Sequence, residues 1–140
     1  MHSGWGIRTL SRAVPKYNPM SYHNGSIWPH DNAIIVEGLR RIGRTQDAHD
    51  VLRGMLEAAQ FEPDFRLPEL FCGFDRNNSF KPIDYPVSCS PQAWAAGSMF
   101  QMLKVCLNMQ PDALRQTLRI VEPSLPPWLN PASLVRASLL

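Results

Sequence analysis

Two stretches of this chain carry residues whose types and spacing can do chemistry. The first is Tyr22-His23-Asn24-Gly25-Ser26-Ile27-Trp28-Pro29-His30-Asp31. Flat rings cover the C–H faces of a sugar, while Asn, His and Asp bond its hydroxyls, so this mixture suits carbohydrate. The second is Arg66-Leu67-Pro68-Glu69-Leu70-Phe71-Cys72-Gly73-Phe74, where one carboxylate, Glu69, is flanked by apolar residues. Desolvation in such a setting is expected to raise a carboxyl pKa, which is one way a glycosidase tunes an acid or a base. Each feature also has a plainer reading. His23 and His30 serve as loop hydrogen-bonders in many proteins, and Asp31 at a helix start is stabilised by the helix dipole alone. Glu69 can pair with Arg66, and Trp94 and Phe100 read most simply as core. His23, His30 and Asp31 lack the spacing of a zinc site, so no metal is expected.

The elements that must position these residues are helices separated by stiff loops. Thirteen prolines cluster at 15–29, 63–91 and 111–131. A first helix is expected from Pro29, a residue favoured in a first turn, to about Ile42. Its buried face is expected to be Ile34, Ile35, Gly38, Leu39 and Ile42, with Gly43 closing it. A second helix is expected to start at Thr45 as N-cap, with Ala48, Val51, Leu52, Met55, Leu56 and Ala59 as its apolar stripe. The turn between them is short, which makes them antiparallel neighbours. Residues 62–90 read as a long loop, and loops of that length tend to carry function. A third helix is expected after Ser90 as cap and Pro91 at N1, reaching about Leu107. It is apolar almost all round and so is expected to be buried on most sides. A short helical piece is expected after Pro111, then a weak strand signal at Leu118 to Glu122, cut by Pro123.

Composition narrows the classes. The chain has 140 residues, enough for one domain, and a net charge of +2. Its basic residues form no stripe, so nucleic acid is not expected as a partner. No apolar run is long enough to span a membrane, and the N-terminus lacks the apolar core of a secretory signal. Cys72, Cys89 and Cys106 are odd in number and widely spaced, which suits reduced thiols in the cytoplasm.

The strings SGWGIRTLS, YNPMSYHNGSIWPHDNAII, RLPELFCGF and YPVSCSPQAWAAGS, in that order, are similar to amylo-α-1,6-glucosidase or glycogen-debranching-type glycoside hydrolases. The resemblance covers roughly residues 3–129. It implies an all-α fold, a partial (α/α)6 toroid of the six-hairpin type with the active site at one mouth. Residues 1–129 would be the C-terminal portion of that catalytic domain, and 130–140 a truncated tail. It also implies inverting hydrolysis of α-glucosidic bonds in glycogen-like glucans by a paired acid and base, without a cofactor. By position in the motif, Glu69 matches the general base. Tyr22, His23, Asn24, Gly25, Trp28, His30 and Asp31 match the sugar-contacting loop, and Gln92 and Trp94 a pocket edge. The general acid of the family lies in an earlier repeat, so the chain is expected to be an incomplete catalytic unit. The alternative is a non-catalytic carbohydrate-binding chain, or one that completes a toroid with a complementing partner.

Overall fold

The structure, a computed structural model, describes residues 1–129; the expected tail at 130–140 lies outside them. Three α-helices form among the described residues: α1 (Pro29–Arg41), α2 (Thr45–Ala59) and α3 (Ala93–Leu107). None is long and apolar enough to cross a membrane. A two-stranded antiparallel hairpin, β1 (Met109–Asp112) and β2 (Thr117–Ile120), corrects the all-α expectation. It also replaces the helical piece expected after Pro111. Met109 pairs with Ile120 and Asp112 with Thr117, and the Asp112 carboxylate accepts the Arg115 N–H at 3.1 Å inside the turn.

The chain divides into two compact units, residues 1–102 and the segment from Leu103 on. In the second, the hairpin is tied back by the Asn108 side-chain amide, which donates to Val121 O at 2.6 Å, and by Ser124 N–H, which donates to Cys106 O at 2.8 Å.

In the first unit, α1 and α2 pack as a hairpin. Pro29 starts α1 as its composition suggests, and Gly43 takes φ +78 after it, a conformation that glycine adopts without a side-chain clash. The buried face of α1 is not the isoleucine stripe. It is Pro29, His30, Asn32, Ala33 and Val36, while Ile34 and Ile42 are 61% and 73% exposed. Ile35 and Leu39 of the expected face are half-buried, while Ala33 and Val36 take fully buried positions. On α2 the expected stripe is buried at Ala48, Val51, Leu52, Met55 and Ala59, with Leu56 half-buried. Thr45 is already helical, and Arg44 occupies the N-cap without a capping side chain.

The irregular segments are held as firmly as the helices. Ile27 N–H donates to Phe71 O at 3.0 Å and Phe71 N–H returns to Ile27 O at 2.9 Å. Arg8 pairs with Ile27, and Phe71 with Asp84, in the same antiparallel sense. Four chain segments thus lie side by side through single rungs, and Ile27 and Phe71 are fully buried. Each such side chain stabilises the fold by about 1.5–3 kcal/mol. Asn32 adds a polar bolt: Oδ1 accepts Ile7 N–H at 2.7 Å, and Nδ2 donates to Ile7 O at 3.1 Å and Trp28 O at 2.9 Å.

Helix α3 begins two residues later than expected. Gln92 N–H is taken by Leu67 O at 3.4 Å, and Gln92 O accepts Ala96 N–H at 2.9 Å, so Gln92 stands at the cap. The helix is not buried on most sides: Trp94 is 63% and Phe100 77% exposed. The core reading of those two rings is therefore corrected. The apolar circumference of α3 exceeds what the elements around it cover.

Candidate functional site

The rungs at Ile27, Phe71 and Asp84 bring three loops together. The residues beside them, Tyr22 to Trp28, Glu69 and Tyr85, make one cluster. Tyr22 hydroxyl donates to Glu69 Oε1. Cys89 N–H donates to Glu69 Oε2 at 3.2 Å, and Glu69 N–H donates to Cys89 O at 2.9 Å. Both carboxylate oxygens therefore have a donor, and neither is Arg66.

These donors decide the electrostatics. The Tyr22 hydroxyl, with the Cys89 N–H, holds Glu69 below the usual carboxylate range, against the opposing pull of desolvation. The expectation of a raised pKa fails because the apolar flanks turn away: Leu67, Leu70 and Phe71 are fully buried, whereas Glu69 itself is only half-buried. The reciprocal effect pushes Tyr22 up to about 12, chiefly through the same hydrogen bond. Glu69 is thus a carboxylate held ionised.

Around it runs a chain of rings. Tyr22 meets Tyr85 edge to face at 5.6 Å, Trp28 at 4.7 Å and His23 at 4.7 Å. Trp28 stacks with His23 at 5.8 Å and meets His30 edge-on at 5.5 Å. His30 in turn stacks on Trp94 at 4.1 Å. The loop is locked from beneath by Ser26: its hydroxyl donates to Tyr22 O at 2.6 Å, and Trp28 Nε1 donates to Ser26 Oγ at 2.8 Å.

His30 and Trp94 line a cavity of about 210 Å³ with Ala33, Ile34, Gly97, Ser98 and Gln101. His30 is buried, and burial lowers its pKa, outweighing Asp31 and Glu69, which favour the charged form. It is neutral at pH 7, and its Nδ1 is buried without a partner. A buried polar atom without a partner is uncommon in a folded chain. Tyr85 also lines a second cavity of about 360 Å³, with Phe61, Glu62, Pro68, Asp84 and Ser88 among others.

The structure brings Tyr22, His23, Trp28, His30, Trp94 and Glu69 into this one cluster. The other candidates lie differently. Asn24 is exposed and serves the turn, its carbonyl accepting Asn18 N–H at 2.8 Å. Gly25 is buried at φ +148, where a side chain would strike Tyr17. Asp31 is exposed in the first turn of α1. Gln92 is half-buried beside the Glu69 loop, and its side-chain oxygen lacks a partner. Sequence reasoning missed Ser26, Tyr85 and the Cys89 amide. All three sit inside strings it singled out, but only the fold shows what they hold. Among the described residues, no cluster of His, Cys, Asp or Glu is set to hold a metal ion.

No curated protein matches the chain. The sequence model of the mannosylglycerate hydrolase MGH1-like glycoside hydrolase domain matches residues 1–72. That span takes in the whole of the Tyr22–Asp31 loop and reaches Glu69. It covers more than half of the 140 residues. The chain therefore belongs to the MGH1-like glycoside hydrolase domain family.

Proposed function

We propose that this chain supplies the base side of an inverting glycosidase site, with Glu69 as general base and Tyr22, His23, Trp28, His30 and Trp94 as the sugar-facing wall. The observation that carries the reading is Glu69 itself, a carboxylate held ionised by two donors at the edge of a continuous aromatic wall. In the reaction a water attacks the anomeric carbon and gives its proton to Glu69. The glycosidic C–O bond breaks, and the leaving oxygen takes a proton from a separate acid. Inversion needs the two carboxyl groups about 6.5–9.5 Å apart, to admit that water. The groups that shift Glu69 are Tyr22, Cys89 and His30, none of them a carboxylate. On this reading the acid is supplied by another part of a six-hairpin catalytic domain or by a complementing chain. The chemistry needs no organic cofactor.

For the substrate, the first reading is an α-glucosidic bond in a glycogen-like glucan, as in amylo-α-1,6-glucosidases. The matched family favours a second, a mannosyl glycoside such as mannosylglycerate. Titration calorimetry with isomaltose, maltotriose and mannosylglycerate separates them. Heat that disappears in Trp28→Ala supports the site and names the sugar. A folded chain that binds none of the three would sink the reading.

A further inference from the structure

Tyr22 does more than present a ring. A phenol has one proton to give, and here it goes to Glu69. Toward a sugar, the Tyr22 oxygen is left able only to accept. Its ring is packed by His23, Trp28 and Tyr85. Its backbone carbonyl accepts from Ser26 Oγ at 2.6 Å and from Trp28 Nε1 at 3.2 Å. The hydroxyl therefore points from a body that cannot swing, because ring and main chain are fixed independently. Cys89 N–H, on the same long loop as Glu69, meets the other carboxylate oxygen.

We propose that Tyr22 is the positioning residue of the Glu69 carboxylate, clamping one oxygen while the Cys89 amide clamps the other, so that the remaining lone pairs are aimed at a fixed point. The inference rests on the reading of Glu69 as a base, but its geometry can be tested without any turnover. A carboxylate on a free loop samples many rotamers, and misplacement of a general base by a fraction of the hydrogen-bond length is costly in rate. A two-donor clamp removes that freedom. It also makes the carboxylate a weaker base, one that stays ionised in more acidic solution. Tyr85 backs the clamp from the segment between α2 and α3, so this segment contributes the base, its amide donor and the packing behind its tyrosine.

The test is carboxyl-carbon NMR of the chain labelled at glutamate side-chain carbons, with the Glu69 signal assigned by its loss in Glu69→Gln. In Tyr22→Phe, which keeps the ring, the Glu69 titration midpoint moves to higher pH while the other glutamates stay in place. An unmoved midpoint in a folded variant overturns the proposal. A second arm avoids dependence on that variant's folding. In Glu69→Gln, one tyrosine that ionises near pH 12 in the parent, read by ultraviolet absorbance, returns toward the ordinary value of 10. If no tyrosine moves, the pair does not exist. A catalytic failure reads differently: the clamp titrates as stated, yet Glu69→Gln leaves hydrolysis by the assembled enzyme intact.

Discussion

His30 lies face to face with Trp94, ring centroids 4.1 Å apart and planes 14° from parallel, which joins the first turn of α1 to the first turn of α3. The stack leaves His30 Nδ1 buried, neutral and unpartnered beside a cavity of about 210 Å³. Substituting His30 by Phe keeps a ring on the indole and removes the nitrogen. Stability is expected to stay within ~1 kcal/mol, the scale of such a stack, whereas sugar affinity falls roughly tenfold, the worth of one good hydrogen bond. Calorimetry on sugar and a urea melt on the same variant check both halves.

The close approach of Gly25 and Gly73 is the tightest packing constraint near the site. A Cβ at position 73 would sit 1.7 Å from the Gly25 carbonyl oxygen. Gly73→Ala is expected to cost about 4 kcal/mol or more, because backbone on both sides must move. Gly38 makes the control: nothing lies within 4 Å of its added Cβ, and it sits mid-helix. Gly38→Ala is expected to stabilise by about 0.5–1 kcal/mol. Thermal melts of the two variants should shift in opposite directions.

Arg8 is 2% exposed and donates to Asp75 at 2.6 Å and, through Nε, to Gly73 O at 2.6 Å. That guanidinium holds the Asp75 carboxyl below its usual range. Asp75→Asn keeps the shape and removes the charge, leaving a buried cation short of its partner. A loss of about 2–3 kcal/mol in urea unfolding is expected.

The Tyr22–Glu69 contact has a defined pH window. Unfolded glutamate takes up its proton near 4.5, and the folded Glu69 does so at lower pH. As pH falls from 4.5 through the lowered value, the unfolded state binds more protons and stability is lost. Unfolded tyrosine ionises near 10 and folded Tyr22 at about 12. The tyrosine contribution is complete below 10 and fades as pH rises through about 12. Urea midpoints followed across pH should therefore decline at both ends in the parent chain, and less steeply at each end in Tyr22→Phe. Parallel curves would remove the contact from the account.

Much of this was legible in the residues. Pro29 announces α1 and the Ala48–Ala59 stripe announces α2, while the role expected of Glu69 comes from the family resemblance and not from composition. What failed was direction. The isoleucines of α1 are more apolar than Ala33 and Val36, yet Ala33 and Val36 are fully buried, Ile35 is half-buried, and Ile34 and Ile42 are exposed. The apolar flanks of Glu69 suggested a raised pKa, but Leu70 and Phe71 turn into the core and leave the carboxylate to Tyr22. That partner lies 47 positions away. It is delivered by single rungs such as Ile27–Phe71, which leave no periodic trace in sequence. The β1–β2 hairpin was half visible, in the alternation of Leu118 and Ile120, while Pro111 hid its first strand.

The central claim is that Glu69 is a general base in glycoside hydrolysis. Glycosyl fluorides isolate that role, because fluoride leaves without needing the proton that a general acid supplies. Fluoride release from α-glucosyl and α-mannosyl fluoride by the purified chain, beside Glu69→Gln, is the direct measurement. The account predicts release above the buffer rate with one of the two sugars, lost on Glu69→Gln and retained in Asp31→Asn. Release that survives Glu69→Gln, or a folded chain that releases none from either sugar, would contradict it.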